Sequence, residues 1–230
     1  MEERLHGRKI IVTGAGGALA TAVNRALHRA GAELVLVDHG DNARRAVQAL
    51  GAGVAVTADL GTPEGARVLE AHAEGAYGLV HTVGGFASSP VLEAPPEQLR
   101  ALFVLNFDTL FHAVRAVVPA MVRAGAGRVI GVSAGQAYRG EGKNAALYTA
   151  SKSAVAALLR SLDAELAGTG VGAGVLYPMG TIDTPANRAA MPGSDPERWI
   201  DPGELARAAL FMLSAPEQGR VRELAVHPPR

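Results

Sequence analysis

The sequence predicts an α/β domain, a doubly wound and mostly parallel seven-stranded sheet with helices on both faces, and three observations carry that expectation. Short β-branched or Leu/Val-rich runs alternate with longer Ala/Leu/Arg stretches of helical period, which is the pattern of βαβ units. The first run, RKIIVT, leads straight into a glycine-rich turn, GAGGALA, at the head of a helix-forming segment. At 230 residues the chain can bury roughly 70% of its unfolded surface, so residues 1–230 are expected to form a single domain.

In chain order, the first strand is expected at 8–13 and the helix after it at 18–30, stopped by Gly31. Strand 33–38 (ELVLVD) precedes helix 42–50, and strand 53–57 precedes helix 63–74. Strand 78–83 is followed by a long apolar helix at 96–124, which Pro95-Pro96 opens. Strand 127–133, helix 145–168 and strand 171–177 follow. The Pro/Gly/Asp-rich stretch 178–202 is the expected mobile substrate loop, and helix 202–214 and strand 221–227 finish the sheet.

Composition narrows the function. Basic and acidic residues balance at 22 each without a block of like charge, so neither nucleic acid nor a membrane surface is an expected partner. The absence of cysteine removes disulfides, thiol catalysis and Cys-ligated zinc, and it suits a reducing, cytoplasmic setting. Seven scattered histidines without paired ligand spacing suggest no metal site. The apolar stretch 101–125 is interrupted by Asn106, Asp108, His112, Arg115 and Arg123 and reads as a packed helix. The basic start before IIVTGAGGALATA superficially resembles a signal peptide, yet its centre is Gly-rich and weakly apolar, so it reads as strand and turn.

A glycine turn between the first strand and its helix is where an open parallel sheet places a dinucleotide pyrophosphate, because glycines let amide groups approach the phosphates. Asp38 ends the second strand 24 residues after Gly14, the spacing at which a carboxylate reaches an adenosine ribose. A carboxylate there accepts hydroxyl protons and repels a 2′-phosphate, which favours NAD, while Arg44 and Arg45 nearby leave NADP open.

Tyr148 and Lys152 stand four apart in a predicted helix, one turn apart on one face. An ammonium near a phenol is expected to lower the tyrosine pKa toward working pH, as a general acid/base requires. With four tyrosines and three lysines in the chain, about 0.05 such pairs arise by chance, so composition alone does not account for it.

These residues, with Asp59, Gly84, Asn106, YTASK and GTIDTP, make the chain resemble the short-chain dehydrogenases/reductases over about residues 8–227. The resemblance implies a Rossmann-type fold and hydride transfer with a nicotinamide cofactor. It implies that Gly14, Gly17, Ala18 and Leu19 line the pyrophosphate, Asp38 the adenosine ribose, and Asp59 and Leu60 the adenine. Gly84, Gly85, Pro178, Ile182 and Thr184 would lie around the nicotinamide half. Tyr148 would be the acid/base, Lys152 would bind ribose and tune Tyr148, and Asn106 would support a relay water. The two long helices would meet across a two-fold axis in a homodimer or homotetramer.

Departures from the family pattern sharpen the reading. Ala18 and Ala20 stand at two glycine positions, and His81-Thr82-Val83-Gly84 replaces the family's Asn-Asn-Ala-Gly. His81 reads as structural because it falls in a buried strand pattern. The place of the family's catalytic serine is Gly135, with Ser133 the nearest hydroxyl on the same strand face. A serine-free site, together with GGALA, Gly84-Gly85-Phe86 and IDTPANRAAMP, is similar to dihydropteridine reductases, where an aromatic lies by the substrate. Phe86 holds that place and could equally be core. The expected reaction is hydride transfer to a small carbonyl or imine-like substrate, a quinonoid dihydropteridine among them. The alternatives are a ketoreductase or alcohol dehydrogenase using Ser133, and a non-catalytic NAD(H)-sensing protein.

Overall fold

A computed structural model gives the structure of residues 5–230; the first four residues of the expected domain lie outside the described residues. The strands are β1 (Lys9–Thr13), β2 (Glu33–Asp38), β3 (Val54–Thr57), β4 (Ala76–His81), β5 (Gly127–Val132), β6 (Val171–Pro178) and β7 (Glu223–Val226). The helices are α1 (Ala18–Arg29), α2 (Asn42–Leu50), α3 (Pro63–Glu70), α4 (Pro96–Phe103), α5 (Thr109–Ala124), α6 (Gly135–Arg139), α7 (Ala146–Glu165), α8 (Pro185–Ala190) and α9 (Pro202–Ser214).

The strands run β3-β2-β1-β4-β5-β6-β7 in one sheet. Every pairing is parallel, so the expected mostly parallel sheet is parallel throughout. Alternation along β1 shows how both faces are filled. Ile10 and Val12 pack with Val23 and Leu27 of α1 and with Leu205 and Leu213 of α9. Ile11 faces the opposite way, into the core that also holds Leu110 and Val117 of α5 and Val155 and Leu159 of α7. Strand order reverses between β1 and β4, which opens a crevice at their carboxyl ends.

The helix expected at 96–124 is present as one continuous span, but it is not regular throughout. α4 and α5 are joined by a π-helical turn, Val104–Asp108, centred on Asn106. Thr109 Oγ1 donates to the Leu105 carbonyl at 2.7 Å, a side-chain bond that competes with the backbone ladder. The segment Pro96–Ala124 is long and apolar enough to cross a membrane by length and composition, but half of its most apolar stretch is buried in the fold. The stretch 178–202, expected as a mobile loop, also holds more structure than expected: Thr184 Oγ1 caps α8 by accepting from Asn187 N at 3.1 Å.

Candidate active site

The crevice begins at the turn after β1. Gly14 has φ +71°, and a Cβ there would fall 2.9 Å from Val83 N, so this residue must be glycine on both counts. Gly17 is the extended residue before α1, and no side chain caps the first amides of that helix. Those amides face the position that an anion would take. Asp38, nearly buried, ends β2 against the same turn: its Oδ2 accepts from Gly16 N at 2.9 Å and its Oδ1 from His39 N at 2.8 Å. Asp59 is exposed beyond β3 and accepts from Gly61 N at 2.9 Å. The Leu60 side chain is core, and its carbonyl accepts from His112 Nδ1 at 2.7 Å.

The second half of the crevice is built by β4, the π turn and α7. Asn106 is fully buried, accepts from Gly85 N at 2.9 Å, and donates to the Gly85 carbonyl at 3.1 Å and to Ser151 Oγ at 3.0 Å. Both amide protons of the side chain are therefore used in holding the Gly84-Gly85 loop against α7. Lys152 Nζ donates to the Val132 carbonyl at 3.0 Å. A Cβ on Gly84 would lie 2.7 Å from that nitrogen and 2.9 Å from Asn106 Oδ1, so only glycine leaves the cradle open.

Burial decides the protonation of the pair. It lowers the Lys152 ammonium to about 8 and pushes the Tyr148 phenol up to about 12. The expected lowering of Tyr148 by Lys152 is thus corrected. The four-residue spacing puts both side chains on one face, but Val132 holds the ammonium and desolvation of the phenol wins. Phe86 is 62% exposed, and its ring stands edge-on to that of Tyr148 at 4.9 Å. Phe86 therefore belongs to the crevice and not to the core.

Ser133 is buried and its Oγ donates to the Lys152 carbonyl at 2.8 Å. Its proton is given to the Lys152 carbonyl of α7, although Ser133 itself borders the cleft. The supposed common strand face with Gly135 is corrected, since β5 ends at Val132 and Gly135 opens α6. A Cβ at Gly135 would meet Met179 Cα at 3.0 Å and the Pro178 carbonyl at 3.2 Å. The backbone after β6 thus presses on the place where a serine would stand.

His81 is 1% exposed between Thr13 Oγ1, 2.8 Å from its Nδ1, and Thr109 Oγ1, 3.2 Å from its Nε2. Thr109 gives its own proton to Leu105, so Nε2–H donates to Thr109 and Nδ1 accepts from Thr13. Burial, with a contribution from the Lys152 charge, holds His81 down at about 3, and it is neutral.

Together these elements enclose an open cleft of about 640 Å³ running from Gly17–Leu19 past Gly84 and Tyr148 to Pro178, Ile182 and Thr184. The cleft also takes in Gln136 and Arg139 from α6 and Met191 after α8, which sequence reasoning missed. The signal for the first two was their spacing of three, readable only once α6 is known to be helical.

The sequence pattern of the family described as short chain dehydrogenase matches residues 8–194. The chain belongs to that family. This short-chain dehydrogenase is 35% identical over 228 residues to galactitol 2-dehydrogenase (L-tagatose-forming) of Cereibacter sphaeroides, covering 92% of this chain and 89% of that protein. A crystal structure provisionally assigned as an NAD(P) dependent gluconate 5-dehydrogenase from Beutenbergia cavernae, with NADP at low occupancy, superposes with a TM-score of 0.88. It is 30% identical and covers 97% of this chain and 96% of its own. A metagenomic short-chain oxidoreductase in complex with NADP gives a TM-score of 0.79 at 26% identity, over 99% of this chain and 100% of its own. This short-chain dehydrogenase is accordingly an NAD(P)-dependent oxidoreductase, and the non-catalytic sensor reading falls away.

Proposed function

We infer that the protein interconverts a small secondary alcohol and its ketone with a nicotinamide cofactor, and that Tyr148 handles the proton. The observation that carries this is the Tyr148 phenol on the cleft, one helical turn from a buried Lys152 whose nitrogen lies beside Gly84. The residues suit the cofactor: the uncapped start of α1 can receive a pyrophosphate, and Gly84 leaves space beside Lys152 that any Cβ would close. When bound, the nicotinamide supplies or accepts the hydride.

The chain's own groups do the rest. With its pKa near 12, Tyr148 carries its proton at neutral pH and can give it to the oxygen of a ketone as that oxygen becomes an alcohol. In the reverse direction it receives the proton back. Lys152 would hold ribose hydroxyls and place a positive charge near the phenol, and Asn106 keeps the loop and α7 in register. Gly14, Gly17, Ala18 and Leu19 would line the pyrophosphate, Asp38 the adenosine ribose, and Asp59 with the Leu60 backbone the adenine. Gly84, Gly85, Pro178, Ile182 and Thr184 would border the nicotinamide half. NAD is the expected cofactor because of Asp38, although both solved relatives above hold NADP. A cytoplasmic setting fits the cysteine-free chain.

A second reading, reduction of a flat conjugated acceptor such as a quinonoid dihydropteridine, draws on Phe86 beside Tyr148 and on the missing hydroxyl at Gly135. A polarised acceptor needs a second hydrogen-bond donor less than a simple ketone does. Assays of polyols and hydroxy acids with NAD+ and NADP+, and of ketones, quinones and quinonoid dihydropterin with NADH and NADPH, separate the two. Tyr148→Phe should retain cofactor affinity and lose at least about 100-fold in turnover. Wild-type turnover in Tyr148→Phe across the neutral pH range would overturn the proton assignment.

A further inference from the structure

We propose that the substrate carries a carboxylate, which Arg139 of the cleft wall grips, so that the protein acts on hydroxy acids or keto acids. This deepens the dehydrogenase reading and rests on it for the reaction, though not for the binding. The argument begins with α6, which presents Gln136 and Arg139 to the cleft at a spacing of three, hence on one helical face. Tyr138 lies on the other side of the same short helix and packs edge-on against Tyr177 of β6 at 5.1 Å. Tyr177 is fully buried and accepts from Arg160 at 2.9 Å. The rear of α6 is therefore anchored on the sheet, and the direction of its front face is set.

Charge then selects the ligand. Among the residues lining the cleft only Lys152 and Arg139 are charged, and no Asp or Glu is present. Asp183 lies in the neighbouring loop, but Arg188 already holds it with two contacts at 2.6 and 2.7 Å. Lys152 gives one donor to the Val132 carbonyl, and its remaining donors go to the ribose in the dehydrogenase reading. Arg139 makes no ion pair and no hydrogen bond among the described residues. A guanidinium at the end of a helix often serves its last carbonyls, and Arg139 does not. Its five N–H donors, with the Gln136 amide beside them, match a planar carboxylate, for which arginine is the better of the two basic residues. Phe86 and Met191 furnish apolar lining for a short carbon chain in the same cleft.

The test compares short hydroxy acids with their methyl esters, which differ in charge and little in shape. The expected result is a kcat/KM for the acids that exceeds that for the esters, with the acid-to-ester ratio falling about 10- to 100-fold in Arg139→Ala, the range for a lost charge-assisted pair. Arg139→Lys should restore part of it. In parallel, binding of succinate and of dimethyl succinate to the NADH complex is followed by nicotinamide fluorescence. Succinate should bind the wild type, and Arg139→Ala should lose that binding while keeping the wild-type melting temperature. An acid-to-ester ratio near unity that Arg139→Ala does not move overturns the proposal and leaves the dehydrogenase reading intact. A loss of cofactor affinity in Arg139→Ala with the ratio unchanged overturns it as well, by assigning Arg139 to a cofactor phosphate. If no alcohol or ketone is turned over, the dehydrogenase reading fails, and succinate binding alone decides whether Arg139 receives a carboxylate.

Discussion

Asp38 shows how one side chain can serve two ends. Its carboxylate closes the glycine turn through Gly16 N, and in the proposed reading it also receives a ribose hydroxyl. A 2′-phosphate brought there would face a like charge in a partly buried place, at a cost of about 1 kcal/mol or more. NADH should therefore bind about fivefold or more tightly than NADPH. Asp38→Asn keeps an acceptor for Gly16 and removes the charge, so the ratio of the two dissociation constants should shrink toward one. Tighter NADPH binding by the wild type, with a ratio that Asp38→Asn leaves alone, would show that the charge plays no part in selection. The position of Asp38 was legible because strand, turn and acid come at a fixed spacing. The direction of the Tyr148 shift was not legible, because it depends on how much water the folded crevice excludes.

At the scale of elements, His81 ties β4 to β1 through Thr13 and to the start of α5 through Thr109, next to the π turn that carries Asn106. This linkage needs a neutral ring. His81 has a folded pKa of about 3 against 6.5 in the unfolded chain, so between those values the unfolded state binds a proton that the native state refuses. Its contribution is complete above pH 6.5 and is lost as pH falls toward 3. Between pH 7 and pH 5 the urea-unfolding free energy of the wild type should drop by about 2 kcal/mol on this account. His81→Asn, which keeps a donor and an acceptor but does not titrate, should drop by less. Equal slopes in the two proteins would remove His81 as the cause. The buried nature of His81 was readable from the apolar run around it, as were all seven strands. The π turn and α6 were not: a wide turn inside an apolar helix leaves the periodicity almost unchanged, and five residues are too few to display one. The side of the cleft that α6 builds, with Gln136 and Arg139, stayed hidden for that reason.

On the scale of the whole molecule, α7 faces two ways. Its inner side holds Lys152, Val155 and Leu159 against the sheet, and it packs against α4 and the π turn that lead into α5. Phe111 and Val122 of α5 are 39% and 38% exposed, and Val104 of the π turn is 42% exposed. The step of eleven residues within α5 keeps Phe111 and Val122 on one stripe. Large side chains in such a row are more than a monomer ordinarily leaves to water. The two helices are long enough to give a two-fold contact of the size that stable dimers need, above about 1,000 Å² in total. We therefore expect a homodimer, or a homotetramer that contains it, built on the outer faces of α5 and α7. Because α7 also carries Tyr148 and Lys152, association should steady the catalytic helix as well as cover the stripe. Phe111→Asp would place a charge at the centre of the contact. It should shift the protein to monomer in size-exclusion chromatography with light scattering and abolish the rise of Tm with protein concentration that an associating native state gives. A wild type that elutes as a monomer with a concentration-independent Tm would sink the idea, and the exposed stripe would then be a surface of the monomer with no role in assembly.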